Sequence, residues 1–319
     1  MIISHSKKAI FWRTPKTASE TATLVFRLAG FLDKDSDRDF CTAGAESGLH
    51  GINVPTSLKY EMDHDAQMRR LIQAKGQKLR KEIIENPETE SVLELGDEEK
   101  EFIRKTNEQK HYPFSGPPII HSTADTFING ALKDHNIITR DELYEYDNYA
   151  YIRNPIKRFV SAYVFQQKVS YEIAAKRGKT LPPFDYLFHI DDFHNVVRNL
   201  KDKYFAKDRV YSVTLYRPQI DFFKIEGQTH KDGKRLVEPL LFEDMINEGN
   251  RMLKNHGCFS EIKEWPKLNT QAEQGKQIGF SEKPEAASWV DPYPEIKELL
   301  LDFYKEDVEL WEELSGEKV

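Results

Sequence analysis

The sequence predicts an α/β fold of three layers, in which a central, mainly parallel sheet carries helices on both faces. Three observations point there. Short apolar runs suited to buried strands alternate with helical periodicities over the first half of the chain, the pattern of successive strand–helix units. The 319 residues are 39% hydrophobic and 12% aromatic, which is enough bulky apolar material for a packed core and excludes wholesale disorder. No low-complexity linker and no internal repeat divides the chain, so it reads as one domain over 1–319 with a charged helical insertion at about 60–110.

The elements follow in order. Ala9-Ile10-Phe11-Trp12 is a short apolar run after Lys7-Lys8 and reads as a buried strand that Thr14-Pro15 ends. From Ser19 a helix follows, with Leu24, Val25, Leu28 and Ala29 at helical spacing and Gly30 as its stop. Residues 31–60 read as loops. Between 61 and 110, Met68, Leu71, Ile72 and Leu79 mark an apolar stripe in a stretch rich in Arg and Lys, and a run of Glu and Asp then reverses the sign. Two uses fit that segment: solvated helices inserted in a loop, or a basic face that holds an anionic acceptor.

Pro117-Pro118 leads into Ile119-Ile120-His121, a second strand, and Thr123 to Leu132 reads as a helix. Asn148 to Ile152 is a third strand closed by Arg153, after which Asn154 caps a helix that has Pro155 at its first position. Phe159, Val160, Tyr163 and Val164 give that helix its buried side. Arg209 to Leu215 alternates like a strand, and the runs Phe222 to Glu226 and Arg235 to Leu241 flank the hairpin signal Asp232-Gly233. A long amphipathic helix is expected from Ile296 through Trp311.

Charge and composition narrow the function. Lys and Arg number 46 against 53 Asp and Glu, a formal net charge of −7, which argues against a general nucleic-acid coat. Cys41 and Cys258 are the two cysteines and have no CxxC spacing, so neither a disulfide framework nor a cysteine zinc site is expected. No His, Cys, Asp and Glu cluster has metal-ligand spacing, so no metal is expected either. No apolar run reaches 18 residues. The expectation is a soluble, cytoplasmic protein with no membrane span.

Two segments carry chemistry. The first, Arg13-Thr14-Pro15-Lys16-Thr17-Ala18-Ser19-Glu20-Thr21, lies between strand and helix. A strand that delivers a lysine and several hydroxyls to a helix N-terminus makes an anion site, because the free N–H groups and the helix dipole both face the ligand. The GxxxxGK[ST] pattern is absent, since no glycine precedes Gly30. In the second, Arg153-Asn154-Pro155-Ile156-Lys157-Arg158-Phe159-Val160-Ser161, an arginine ends a buried strand where open α/β sheets bind ligands, and Ser161 follows about two turns on. An arginine fork with a serine hydroxyl suits a phosphate monoester. Taken singly, the first segment also fits a well-capped helix with a surface lysine. The second also fits an arginine paired to a carboxylate beside a serine that only packs.

Together the two segments resemble the signatures of the PAPS-dependent sulfotransferases, and among them the heparan and chondroitin (carbohydrate) sulfotransferase branch. The resemblance implies a P-loop-kinase-like core and 3′-phosphoadenosine 5′-phosphosulfate (PAPS) as cosubstrate. It implies that Arg13, Lys16, Thr17, Ala18, Ser19, Glu20 and Thr21 line the 5′ side and that Arg153 and Ser161 hold the 3′-phosphate. Glu20 departs from the family pattern, where a small or hydroxylated residue is usual, so either its carboxylate points away from the phosphosulfate or the loop is weaker than in relatives. Pro218-Gln219, Leu241-Phe242-Glu243, Leu268-Asn269-Thr270 and Phe303-Tyr304-Lys305-Glu306-Asp307 extend the likeness toward the C-terminus.

The resemblance also makes His121, at a strand end between the two segments, the base that takes the acceptor proton, with Lys16 stabilising the departing nucleotide. His50, His111, Glu20 and Asp125 remain competitors for the base. The expected activity is transfer of the sulfuryl group to an acceptor hydroxyl, a glycan's because the motifs resemble that branch best, without metal and without nucleic acid. The alternatives are a nucleotide-binding protein without turnover and a small-molecule kinase on the same fold.

Overall fold

The computed structural model describes residues 1–33, 35–41, 68, 71, 75, 95–101, 123–125, 137–164, 193–201, 214–266 and 289–319. Among them, five strands form one sheet: β1 (Ile2–Ser4), β2 (Ala9–Trp12), β3 (Phe40–Cys41), β4 (Asp147–Ile152) and, after a small separate hairpin, β7 (Glu238–Leu241). Their order across the sheet is β3-β1-β2-β4-β7. β2 pairs with β4 and β4 with β7 in parallel, whereas β1 lies antiparallel to both β2 and β3.

The sheet is parallel from β2 through β4 to β7, as expected, and becomes mixed at its N-terminal edge, where β1 and the two-residue β3 carry no signal in the sequence. β1 turns into β2 through residues 5–8, a connection too short for anything but an antiparallel pair. Asp39, fully buried, holds that turn by accepting from the His5 and Ser6 N–H groups at 2.7 and 3.1 Å and from the Ser4 hydroxyl at 3.0 Å.

Helices cover both faces, as expected. On one side α1 (Ser19–Leu28) and α5 (Met245–Asn255) pack Ala22, Val25, Phe26, Met252 and Leu253 on Phe11, Tyr149, Tyr151 and Leu240. On the other, Ile10, Trp12, Ala150 and Ile152 meet Leu143 of α2 (Arg140–Glu145) and Leu310 and Trp311 of α7 (Lys305–Ser315). A third cluster gathers the helix over 155–164 (α3), α4 (Phe193–Arg198) and α6 (Pro294–Phe303) around Phe159, Val196 and Leu300.

The buried stripe of α1 differs from the one expected. Ala22, Val25, Phe26 and Ala29 face the sheet and Leu28 is 78% exposed. Ala22, Phe26 and Ala29 complete the i, i+3, i+4, i+7 series around Val25. Gly30 does stop the helix, at φ +79°, in a Schellman arrangement where the Phe31 N–H donates to the Phe26 carbonyl.

Three further expectations are corrected. The Asp232-Gly233 turn exists, with positive φ at both residues as a type I′ turn requires, but it joins β5 (His230–Lys231) to β6 (Lys234–Arg235). Of the expected flanking runs, Phe222 to Glu226 is no hairpin strand, since Phe222 ends a 3₁₀ turn and Ile225 bridges Gln228, whereas Arg235 ends β6 and Glu238–Leu241 add to the main sheet. The end of the run Arg209 to Leu215 is likewise a 3₁₀ turn, Thr214–Tyr216, and residues 209–213 lie outside the described set. The long C-terminal helix is two helices, interrupted at Tyr304, whose buried hydroxyl donates to the Tyr216 carbonyl at 2.8 Å. Of the insertion, Met68 is buried and Leu71 exposed, so only part of the apolar stripe is core. Lys75 joins Glu99 at 2.5 Å, which links the basic stretch to the acidic one.

Candidate functional site

β2 and β4 are adjacent and parallel, in register Trp12↔Ala150, so the segments that leave them emerge together at the carboxyl edge of the sheet. The two segments singled out in the sequence meet there. The Arg153 guanidinium donates through Nη1 to the Lys16 carbonyl at 3.0 Å.

The loop after β2 is built on left-handed residues. Lys16 has φ +64° and Ala18, the N-cap of α1, has φ +50°, with Thr17 between them. Non-glycine residues adopt this region at a cost of about 1–2 kcal/mol each. Left-handed residues in such a turn let successive backbone N–H groups converge into an anion-binding nest. The turn is braced from inside: the fully buried Thr17 hydroxyl donates to the Thr14 carbonyl at 2.8 Å. Thr23 ties the first turn of α1 through the Ser19 carbonyl at 2.6 Å, and the Thr21 hydroxyl donates to the Pro266 carbonyl at 3.1 Å. Ser19 is buried, and Lys16 is half-buried.

Arg13 and Glu20 occupy the flanks of this turn. Arg13 is 1% exposed, and burial lowers its pKa against the raising influence of Cys41 and of Glu20. Glu20 thus helps to stabilise a buried cation, which gives the one unusual residue of the loop a role in charge balance.

Arg153 is held on every side. Its N–H donates to Gln219 Oε1 at 2.9 Å and its carbonyl accepts from Gln219 Nε2 at 2.8 Å. The guanidinium lies 4.8 Å over the Phe242 ring. Burial brings its pKa down to about 10, opposed by Glu243 and reinforced by Arg158, so it stays charged at neutral pH. Its Nε is buried and has no hydrogen-bond partner among the described residues. A charged, largely enclosed donor in that state is suited to an incoming anion.

The start of α3 is as expected. The Asn154 side-chain oxygen accepts from the Lys157 N–H at 3.1 Å, and the Asn154 backbone N–H donates to Glu243 Oε1 at 3.0 Å. Glu243 Oε2 accepts from the Trp311 indole at 3.1 Å. Ser161 is buried two turns on. Arg158, in contrast, is taken up by main-chain carbonyls. It is fully buried and donates to the Leu215 and Arg217 carbonyls at 2.9 Å each, so it braces the fold.

Below Gln219 lies Asp307, fully buried, whose two oxygens accept from the Gln219 and Ile220 N–H groups at 2.7 Å each. Burial raises its pKa to about 6, against Arg158 and the two amide donors. The sequence carried Gln219, Glu243 and Asp307 only as parts of a resemblance. Their roles depend on contacts across 66 to 89 positions, and no local pattern announces such contacts.

His121, the expected base, lies outside the described residues, as do His50, His111 and the segment Leu268-Asn269-Thr270. The strand Ile119 to His121 falls there too, and only residues 124–125 of the helix expected from Thr123 to Leu132 are described as helical. Asp125 is described: its carboxylate accepts the Glu226 N–H at 2.5 Å. Among the described residues no group of three or more His, Cys, Asp or Glu could hold a metal ion, and no helix is long and apolar enough to cross a membrane.

A family model described as "Sulfotransferase family" matches residues 1–312. Comparison with curated proteins and with solved structures gives no match.

Proposed function

The chain belongs to the sulfotransferase family, and we propose that it moves the sulfuryl group of PAPS onto an acceptor hydroxyl of a carbohydrate. The observation that carries this reading is the bond from Arg153 to the Lys16 carbonyl. It couples a cation suited to a 3′-phosphate to a loop suited to a 5′-phosphosulfate, as one nucleotide bearing both groups would require. The buried, unpartnered Arg153 Nε fits the 3′-phosphate, and the left-handed turn at Lys16 and Ala18 fits the 5′ end. On this reading the core is P-loop-kinase-like in the plan of its first strand, loop and helix, without the Walker glycines.

The bound donor supplies a sulfur–oxygen bond that breaks as the acceptor oxygen attacks in line. The residues do the rest by position and charge. His121 accepts the hydroxyl proton. The Lys16 ammonium neutralises the charge that grows on the bridging oxygen, and the N–H groups of the 16–19 turn hold the 5′-phosphate. Arg153 and Ser161 hold the 3′-phosphate. The sulfuryl group carries less charge than a phosphoryl group, so the mechanism asks for no divalent metal. Cytoplasmic action is part of the proposal, and both cysteines are free thiols.

Calorimetry with adenosine 3′,5′-bisphosphate and with AMP tests the donor assignment. A charge-assisted contact to the 3′-phosphate is worth about 1.5–3 kcal/mol, so the bisphosphate should bind roughly tenfold or more tighter than AMP. Arg153→Ala should remove the difference. Equal affinities in the wild-type protein would defeat the reading.

A further inference from the structure

We propose that Gln219 is a positioning residue for Arg153, its side-chain amide acting in place of a neighbouring strand to aim the guanidinium at the 3′-phosphate. The inference rests on the reading of Arg153 given above.

The argument starts from the sheet. β4 pairs with β2 as far as Ala150 and with β7 as far as Ile152, where Leu241 is the partner. Arg153 is the next residue, and its N–H and carbonyl have left the ladder. Both groups nevertheless need partners, because an orphaned buried backbone group costs about as much as a lost hydrogen bond. Gln219 supplies both, at 2.9 and 2.8 Å. A primary amide is the one ordinary side-chain group with an acceptor and a donor side by side, so it reproduces the two-bond exchange of a strand neighbour. Its orientation follows from the same contacts, since a flipped amide would set oxygen against oxygen and N–H against N–H.

Gln219 is in turn fixed from its own main chain. It is fully buried, and the Asp307 carboxylate holds its N–H and that of Ile220 at 2.7 Å each. Pro218 restricts the chain just before it. A line of contacts therefore runs from Asp307 through Gln219 to the Arg153 main chain, and from the Arg153 side chain to the Lys16 carbonyl. Side-chain direction follows main-chain direction, and Arg153 is the first residue beyond the strand. Releasing its backbone would let the guanidinium leave the Lys16 carbonyl and the Phe242 face. That loss should fall on the 3′ end of the nucleotide and spare the 5′ end, because the Lys16–Ala18 turn is braced separately through Thr17 and Thr14.

A purely structural Gln219 would affect stability and leave nucleotide discrimination alone, so the test reads discrimination. Gln219→Met keeps the volume and removes both hydrogen bonds. Gln219→Asn keeps a polar amide, one methylene too short to reach both groups. Calorimetry on the full-length variants with adenosine 3′,5′-bisphosphate and AMP should show bisphosphate affinity reduced roughly tenfold and AMP affinity within about twofold of wild type, the pattern expected for Arg153→Ala. Retained AMP binding certifies that the variant is folded. If either variant binds AMP and keeps the wild-type preference for the bisphosphate, Gln219 does not position Arg153 and the inference is overturned. A wild-type protein with no preference would instead overturn the phosphate assignment itself, which separates the two failures.

Discussion

Ala18→Gly is expected to stabilise the protein. Ala18 caps α1 with φ +50° and ψ +33°, a left-handed conformation that its Cβ resists, and it makes no side-chain capping bond. Relief of that clash is worth about 1–2 kcal/mol. Glycine gives back roughly 0.5–1 kcal/mol through the greater freedom of its unfolded chain. The difference is a net gain of about 0–1.5 kcal/mol, read as a higher urea midpoint at unchanged m-value. Ala18→Val sets the opposite sign, because a branched Cβ at positive φ is strongly disfavoured, and it should cost about 1–3 kcal/mol. Nucleotide affinity should stay within about threefold in the glycine variant, since the turn keeps the same hydrogen bonds through Thr17 and Thr14. A glycine variant less stable than wild type would refute the left-handed geometry, and with it the convergence of N–H groups on which the proposed 5′ site depends.

Two further outcomes follow from packing and charge. A Cβ on Gly249 would lie 2.5 and 2.6 Å from the Trp265 ring and 2.8 Å from the Tyr151 hydroxyl. Gly249→Ala should therefore cost about 1–3 kcal/mol by overpacking, and adding Trp265→Leu should cost less than the sum of the single changes in chemical denaturation. Burial raises the pKa of Glu142, but hydrogen bonds from the Thr139 N–H, Arg38 and the Thr139 hydroxyl outweigh it and bring the value down to about 2. A carboxylate lowered in this way contributes stability above its ordinary value of 4.5 that is lost as pH falls toward about 2. Glu142→Gln should flatten the fall in stability between about pH 5 and about pH 2, with a loss of about 1 kcal/mol or less at neutral pH because the pair is partly solvated. An unchanged acid slope in that variant would remove Glu142 from the account.

The sequence showed most clearly what local chemistry decides. The strand Ala9–Trp12, the helix from Ser19, its stop at Gly30, the strand to Ile152 and the Asn154–Pro155 cap all depend on neighbours within a few residues, and each appears as expected. The register of α1 was harder, because Leu24 and Leu28 mimic an apolar stripe that Ala22 and Phe26 in fact supply. The N-terminal strand was hidden by its length, since Ile2–Ser4 spans three residues and shows no alternation. The split of the C-terminal helix depends on Tyr304 reaching Tyr216, 88 positions away. At the site, residue types and spacing singled out Lys16 and Arg153, and their contact needed the parallel pairing of β2 with β4. Gln219 and Asp307 stand only within segments that resemble the family, and nothing local gives either a role, because a buried glutamine and a buried aspartate look like surface residues in a sequence.

The most direct test is transfer of radiolabelled sulfate from PAPS to a panel of hydroxyl acceptors that includes unsulfated glycans, phenols and lipids, with EDTA present throughout. The account predicts label on carbohydrate, undiminished by the chelator, and strongly reduced by Lys16→Ala. It further predicts kcat lowered about 10² to 10⁴-fold by His121→Ala with nucleotide affinity little changed. No transfer to any hydroxyl, together with magnesium-dependent phosphoryl transfer from ATP to the same panel, would contradict it.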